Sequence, residues 1–429
     1  MKEIGIGLLG FGTVGAGVVE GLQQNGDLMA RRLGVRLVLR KLADLDLDTD
    51  RGVKVDRGLM TRDAAAVIQD PSVDIVVELI GGVTKAREFI LQALAAGKPV
   101  VTANKALLAE AGAELHQAAA KHNADLYFEA SVGGGIPILK AVREGLVANR
   151  IQSVHGILNG TCNYILTRME EEGLPFDEVL QAAQKAGYAE AEPSLDIDGH
   201  DTAHKAVVLA SLAYGFPVPM SAVSVEGIRG LSAEDIRNAA AMGYRIKLLA
   251  VIKQGEAGVE IRVHPTLVAH AHPLAAVSGV FNAVLVSGDI VGDTLYYGRG
   301  AGRRATASAV LADLADAARA ISSGAHRPPL FGGGAAEKLR PAAESLTRCY
   351  LRLSLLDRPG VLAKVAQLLG RQGISIASVL QKEVRSGEQV PVIVVTHTAP
   401  EKAFRAAIAE IDRLPEVGAP TIRLRIEDF

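Results

Sequence analysis

Tryptophan is absent from the 429 residues, and only 8 tyrosines and 9 phenylalanines are present. That is too few aromatic faces for a surface on which nucleobases stack. The two cysteines, Cys162 and Cys349, lie too far apart in sequence to frame a disulfide scaffold, so a reducing, cytoplasmic setting is expected. A net charge of -2 removes the electrostatic case for a nucleic-acid or anionic-membrane partner. No apolar run reaches the roughly 20 residues of a membrane-spanning helix. The opening MKEIGIGLLGFG reads as a strand and glycine turn, because it lacks the small-residue cleavage site of a secretory leader. What is abundant is apolar content, at 49%, and glycine, at 45 residues. A chain of this length and composition is able to build two or three cores.

Four segments follow from the patterning. In residues 1–134 short β-branched runs (EIGIGLLG, VRLVLRKLAD, VDIVVELIGG, KPVVTANK, ADLYFEASV) alternate with alanine-rich amphipathic helices. Strands apolar on both faces, joined by helical crossovers, predict a parallel sheet. Residues 135–321 mix longer helices with strands such as RIKLLAVIK and VSGVFNAVLVSG, which predicts an α+β domain. Residues 322–347 are rich in Pro, Gly and Ser and read as a linker. Residues 348–429 carry the order βαββαβ, a small ferredoxin-like module appended to the rest.

Gly10, Gly12 and Gly15 form G-x-G-x-x-G after the first strand and at the opening of a helix. In that setting the glycines admit a pyrophosphate to the helix N-terminus, so a dinucleotide site is expected. At the end of the second strand Arg40 and Lys41 favour a 2′-phosphate, and Asp44 favours a ribose diol. The conflict leans to NADP without excluding NAD. Thr102 and Lys105, in TANK, fall at the carboxyl edge of the sheet, where open α/β sheets bind ligands. FEASVGGGIPIL places Glu129 beside three glycines, which suits either an oxygen-ligand cation loop or an interdomain hinge.

Five carboxylates lie within GYAEAEPSLDIDGHDTAHK, residues 187 to 205. Asp201 and Lys205 are four apart and share a helix face. Ala206, Val207, Val208, Leu209, Leu212 and Ala213 leave that helix almost no polar face, so Lys205 is expected to be paired or functional. A protonated lysine beside a carbonyl oxygen stabilises and protonates the alkoxide made by hydride delivery. Glu190 and Asp201 are the acids best placed for a substrate ammonium; Glu192, Asp196 and Asp198 also suit turns and helix caps. HDTAH approaches a zinc-protease motif with His200 and His204, but Asp replaces the Glu and no third ligand follows. Cys162 in LNGTCNYIL is a weaker nucleophile candidate, of the kind an acylating semialdehyde dehydrogenase uses, since no base adjoins it. A nucleotide and amino-acid sensor without turnover is the remaining alternative, and it would have no need of a proton donor.

GFGTVG, TANKALLA, GILNGTCNYILT, GYAEAEPSLDIDGHDTAHKAVVLA and GRGAGRRATASAVLADL come in the order and spacing of homoserine dehydrogenases. The last segment, with LLDRPGVLAKVAQLLGRQGISIASVLQ, resembles an ACT domain, so the whole is similar to the ACT-bearing bacterial form. The resemblance implies an α/β protein: a Rossmann-type parallel sheet, an α+β catalytic and oligomerisation domain whose last helix packs back on the first, and a ferredoxin-like ACT domain. It implies interconversion of L-aspartate 4-semialdehyde and L-homoserine with NADP or NAD, in threonine and methionine biosynthesis. Lys205 becomes the proton donor and Lys105 a catalytic lysine touching cofactor and substrate. Glu190, Asp201 and Gly187 take the substrate, Gly187 also facing the nucleotide. Gly10, Phe11, Gly12, Thr13, Val14, Gly15, Arg40, Thr102 and Gly302 join Lys105 around the cofactor. A monovalent cation, usually sodium, is implied at Glu129 and the backbone of Val132, Gly134 and Ile136. An amino-acid effector such as L-threonine is implied at the Asp357–Gly360 loop, and a homodimer or homotetramer as the assembly. Two positions depart from the family pattern: Cys162 replaces a common Thr, and Ala305 stands where proline is usual, which suggests a looser loop at Gly302.

Overall fold

Strand β1 (Lys2–Leu9) buries every residue from Ile4 to Leu9, as a strand must when helices cover both faces of its sheet. In the computed structural model, which describes residues 1–328, 330–331, 338–381 and 388–429, it is a central strand of a six-stranded sheet. The others are β2 (Val35–Ala43), β3 (Met60–Thr61), β4 (Ile75–Glu78), β5 (Val100–Thr102) and β6 (Leu126–Tyr127), in spatial order β3-β2-β1-β4-β5-β6. Every pairing is parallel. Helices α1 (Thr13–Leu33), α2 (Ala64–Gln69), α3 (Thr84–Ala95) and α4 (Lys105–Lys121) are the crossovers. The winding reverses between β1 and β4, and the carboxyl ends of those strands flank the crevice where such sheets take nucleotides.

The chain divides into two compact units that interleave in sequence. The first comprises Met1–Gly160, Asp201–Ser221 and Val280–Glu337; the second comprises Thr161–His200, Ala222–Gly279 and Lys338–Phe429. In the first, the helix Arg303–Ser323 lies on α1, with Ala307, Val310, Leu314 and Ala318 sharing a core with Ala16, Val18 and Val19. Strands Ile151–Ile157, Phe281–Gly288 and Gly292–Arg299 form an antiparallel set in the same unit.

In the second unit the hairpin Tyr244–Gly255/Gly258–Ala269 continues into the C-terminal module. Strand Val417–Ile426 pairs with Gly258–Ala269 through Thr266–Arg425 and Leu267–Ile426, and the order then runs Leu346–Leu356, Gln389–Thr396, Ile376–Gln381. With helices Val361–Arg371 and Glu401–Ile411 this is the expected βαββαβ module, though it is no separate bead on a tether. The reason is local. Strand Val417–Ile426 offers an edge whose N–H and C=O groups need partners, and its Arg425 is buried between Glu226 and Glu401, at 2.7 Å from each.

The linker expected over 322–347 begins as helix, which runs to Ser323, and ends pinned in the second unit. Val259 donates to the Lys338 carbonyl and Arg340 to the Val259 carbonyl, both at 2.8 Å. Its residues 329 and 332–337 lie outside the described residues, as do residues 382–387 of the C-terminal module. Among the described residues no helix is long and apolar enough to cross a membrane.

Candidate active site

The glycine turn carries its constraints in its backbone. Gly10 has φ +99°, and a Cβ there would lie 2.6 Å from the Leu79 carbonyl carbon and oxygen, so the turn rests directly on the end of β4. A Cβ at Gly12 would meet nothing within 4 Å. Gly12 is also the N-cap of α1; it brings no side chain to the cap, and no acidic residue sits in the first turn. The result is an open helix N-terminus fit for an anion. Thr13 is exposed, Val14 half-buried and Gly15 buried. Phe11 is buried in the core and donates its N–H to Asp44 at 2.5 Å. Asp44, just past β2, is thereby fixed across the turn, and its second oxygen accepts from Asp46 N. Arg40 is not brought there. A bulge skips it in the β1–β2 register, and its guanidinium bonds Glu3, at the other end of β1.

Helix His200–Tyr214 is apolar almost all round, as its sequence dictates, and it carries the charged centre of the first unit. Lys205 is buried; its ammonium donates to the Leu158 carbonyl at 2.7 Å and to Asp201 at 2.6 Å. An ammonium has three N–H donors, so one remains uncommitted among the described residues. Asp201 is 4% exposed and bridges two lysines: Oδ2 faces Lys205 and accepts from Asn159 at 2.8 Å, while Oδ1 lies 3.2 Å from Lys105. Burial alone would push the Asp201 carboxyl up. The ammonium groups of Lys205 and Lys105, with the Asn159 amide, outweigh burial and hold it well below the usual carboxylate range. Lys105, the first residue of α4, is more open than Lys205. Thr102 is fully buried, and its hydroxyl donates to Glu78.

Glu129 is buried, and its two oxygens accept the N–H groups of Leu139 and Lys140 at 2.9 and 2.8 Å. Burial pushes this carboxyl up, and it pushes Asp313, which accepts Glu129 N–H, to about 7. Val132, Gly134 and Ile136 are buried in the following loop, and Gly135 N–H bonds the Arg299 carbonyl of the GRGAG segment. Gly302, exposed at φ +114°, is the N-cap of helix Arg303–Ser323. Next to it Arg303 bonds the Arg51 carbonyl and Glu20, and Arg304 also reaches Glu20. Those two arginines tether the start of the helix where Ala305 replaces proline.

Gly187 and Glu190 belong to the second unit and are exposed there. Gly187, at φ +75°, follows the helix Phe176–Lys185, and Gln184 holds the Glu190 carbonyl at 3.0 Å. Cys162 is 0% exposed, with its thiol on the Asp196 carbonyl at 3.2 Å, a setting for packing rather than attack. No group of three or more His, Cys, Asp or Glu side chains suited to a metal occurs among the described residues. The sequence reading missed Asn159, the Leu158 carbonyl and Glu78. The first two sit inside GILNGT, a stretch that carries the family resemblance but in which neither residue had a role assigned. Glu78 had a signal, an acid inside the apolar run VDIVVELIGG.

This geometry stands beside close likenesses to known proteins. Residues 10–129 match the family described as homoserine dehydrogenase, NAD binding domain; residues 137–315 match homoserine dehydrogenase; residues 350–416 match the ACT domain. The chain is 44% identical to a homoserine dehydrogenase of Neisseria gonorrhoeae and 45% to one of Pseudomonas aeruginosa, each match covering 100% of both chains. The crystal structure of a homoserine dehydrogenase from Thiobacillus denitrificans, 46% identical, superposes with a TM-score of 0.95 over 100% of this chain and 99% of that one. The chain therefore belongs to the homoserine dehydrogenase family, oxidoreductases that act on a CH–OH group, and carries that family's nucleotide-binding domain together with an ACT domain.

Proposed function

We propose that the protein interconverts L-aspartate 4-semialdehyde and L-homoserine, with Lys205 delivering the proton and the chain serving threonine and methionine synthesis. The observation that carries this reading is the array of buried Lys205 and Asp201 with the more open Lys105. The glycine turn at residues 10–15 would hold a nicotinamide cofactor, which when bound would supply the hydride for the aldehyde carbon. Lys205, fixed by Leu158 and Asp201, directs its uncommitted N–H at the carbonyl oxygen and gives up that proton as the alkoxide forms. Asp201 acts by holding both lysines in place, Oδ2 on Lys205 and Oδ1 on Lys105, which leaves little of it for a substrate ammonium. Glu190, exposed at the end of its own loop with Gly187, is the acid for that role, and Lys105 contacts substrate and cofactor.

On the cofactor, Arg40 is committed to Glu3 while Asp44 is fixed on the glycine turn. A carboxylate at the end of the second strand suits ribose hydroxyls and repels a 2′-phosphate, so we favour NAD over the NADP to which Arg40 and Lys41 lean. Gly12, Thr13, Val14 and Gly302 line the dinucleotide. The Glu129 carboxylate, pushed up by burial against the opposing Leu139 and Lys140 N–H groups and the charges of Arg143 and Lys140, fits a hard monovalent cation such as sodium. The carbonyls of Val132, Gly134 and Ile136 would complete its shell, and the bound ion would balance the buried charge and brace the loop. The Asp357–Gly360 loop takes an amino-acid effector, L-threonine by resemblance. Exposed Ile290, Leu295 and Tyr297 support assembly of copies as a homodimer or homotetramer, a point light scattering decides.

The test is oxidation of L-homoserine with NAD and NADP, by wild type and Lys205→Ala. Loss of about 100-fold or more in kcat with dinucleotide binding intact is expected for a proton-transfer residue. Turnover unchanged by the mutation would move the proton to Lys105, and no turnover in wild type would sink the reading. The same assay in sodium against choline chloride, and with added L-threonine, tests the cation and the effector. Rates that respond to neither would remove both.

A further inference from the structure

Glu78 is a fully buried acid that the mechanism above does not use. It ends β4 at the point where the sheet reverses its winding. One of its oxygens accepts the N–H groups of Ile80 and Gly81, at 2.9 and 3.3 Å; the other accepts the Thr102 hydroxyl at 2.7 Å. Thr102 Oγ in turn accepts Asn104 N–H at 3.0 Å. The Asn104 side chain caps α4 by accepting from Leu107 N at 3.1 Å, and its amide donates back to the Gly82 carbonyl at 2.6 Å. The bonds close a ring: Glu78, Ile80–Gly82, Asn104, Thr102 and Glu78 again. Lys105 follows the cap directly and extends to Asp201. On its other side the ring reaches the glycine turn, because Leu79 is the residue on which Gly10 rests. Burial pushes the Glu78 carboxyl up, and the donors around it oppose that shift.

We propose that Glu78 is a positioning residue for the reaction: through Thr102 and Asn104 it sets the start of α4, and so Lys105, in fixed register with the glycine turn and the Ile80–Gly82 loop. A salt bridge or a core aliphatic in its place would not do this, because the ring needs one acceptor that reaches both strand ends at once. The inference rests on the catalytic reading given above, in that it makes Lys105 the residue through which Glu78 acts.

Three variants test it. Glu78→Gln keeps an acceptor for Ile80 and Gly81 but leaves the Thr102 hydroxyl without one. Thr102→Val cuts the same bond from the other side, and Thr102→Ser restores it. We expect Glu78→Gln and Thr102→Val to lower kcat/KM for L-homoserine by about tenfold or more, since misplacing a contact group by about 1 Å has effects of that size. Both should weaken NADH binding in a fluorescence titration, whereas Thr102→Ser stays within about threefold of wild type on both readouts. In a Lys105→Ala background Glu78→Gln should add little, because the two act as one unit. Full additivity with Lys105→Ala would overturn the proposal, as would a Thr102→Ser enzyme as impaired as Thr102→Val. Should Glu78→Gln fail to fold, the two Thr102 variants decide. If wild type bound NADH but did not oxidise L-homoserine, the catalytic reading would fall, and the binding split between Val and Ser would still judge the ring.

Discussion

Asp201 is the residue on which the charged centre turns, since its two oxygens are all that separates two ammonium groups. Its folded-state pKa is depressed. Such a group contributes stability that is fully present above its unfolded value near 4 and is lost as pH falls toward the lower folded value. Asp201→Asn removes that contribution and also leaves Lys205 buried without its counter-charge. Breaking a buried pair in this way typically costs about 3–5 kcal/mol. The expected result is a lowered unfolding temperature at pH 7, a flatter acid limb between about pH 4 and pH 2, and loss of turnover. An unfolding temperature unchanged at pH 7 would mean that solvent reaches the lysines freely. At this scale the pair was legible, because i and i+4 on an apolar helix leave a lysine and an acid no other charged partner on that helix. Asn159 and Leu158 were not legible: their contact with Asp201 and Lys205 crosses more than forty residues of chain and follows no period.

At the scale of elements, the turn joining β1 to α1 separates two kinds of glycine that the sequence pattern treats alike. Gly10 sits at φ +99° against the Leu79 carbonyl. An alanine there is strained and collides with backbone, which is costly because backbone cannot swing aside. Gly12 has open space where its Cβ would be, so the methyl group of an alanine harms nothing in the free protein but stands where a pyrophosphate must come close. Gly10→Ala should therefore lower the unfolding temperature by several degrees, about 1–3 kcal/mol of strain. Gly12→Ala should unfold like wild type and yet lose NADH binding by about tenfold or more. Thermal unfolding and a fluorescence titration separate them, and the idea fails if the two variants show the same profile. The parallel sheet and its crossovers were readable from apolar runs that no alternating strand would show. The bulge that skips Arg40 was not, because a register shift depends on the neighbouring strand; nothing in the run of β2 showed that the Arg40 guanidinium would bond Glu3.

In the whole molecule, the same limitation appears where the C-terminal module joins the second unit. Glycine, proline and serine before residue 348 suggested a tether, and a tethered domain should be removable. Instead, strand Val417–Ile426 pairs with Gly258–Ala269, and buried charges cross the seam. Arg425 lies between Glu226 and Glu401, and Arg352 holds the fully buried Asp235 at 2.6 Å. Composition reports how flexible a segment is when free, and it is blind to the sheet edge that the segment's neighbours complete. Ending the chain at residue 347 would leave Asp235 without Arg352 and expose the edge of Gly258–Ala269, an invitation to aggregation. Truncation should thus cost solubility or many degrees of unfolding temperature, and lost activity in it would say nothing about regulation. A point change beside the joint, at the module's own partner of Arg425, reports on the buried charges more cleanly. Glu401 is 1% exposed, and burial, which would raise its pKa, is outweighed by the Arg425 and Arg423 guanidiniums, which hold it to about 2. Its contribution is therefore present above the unfolded value near 4.5 and drains away as pH falls to about 2. Glu401→Gln should destabilise the second unit at pH 7 by a few kcal/mol, roughly the size of that shift, and the gap from wild type should close at low pH. A gap that stays constant from pH 7 to pH 3 would show that the charge pairing of Glu401 with Arg425 and Arg423 contributes little, and that shape and backbone pairing hold the module.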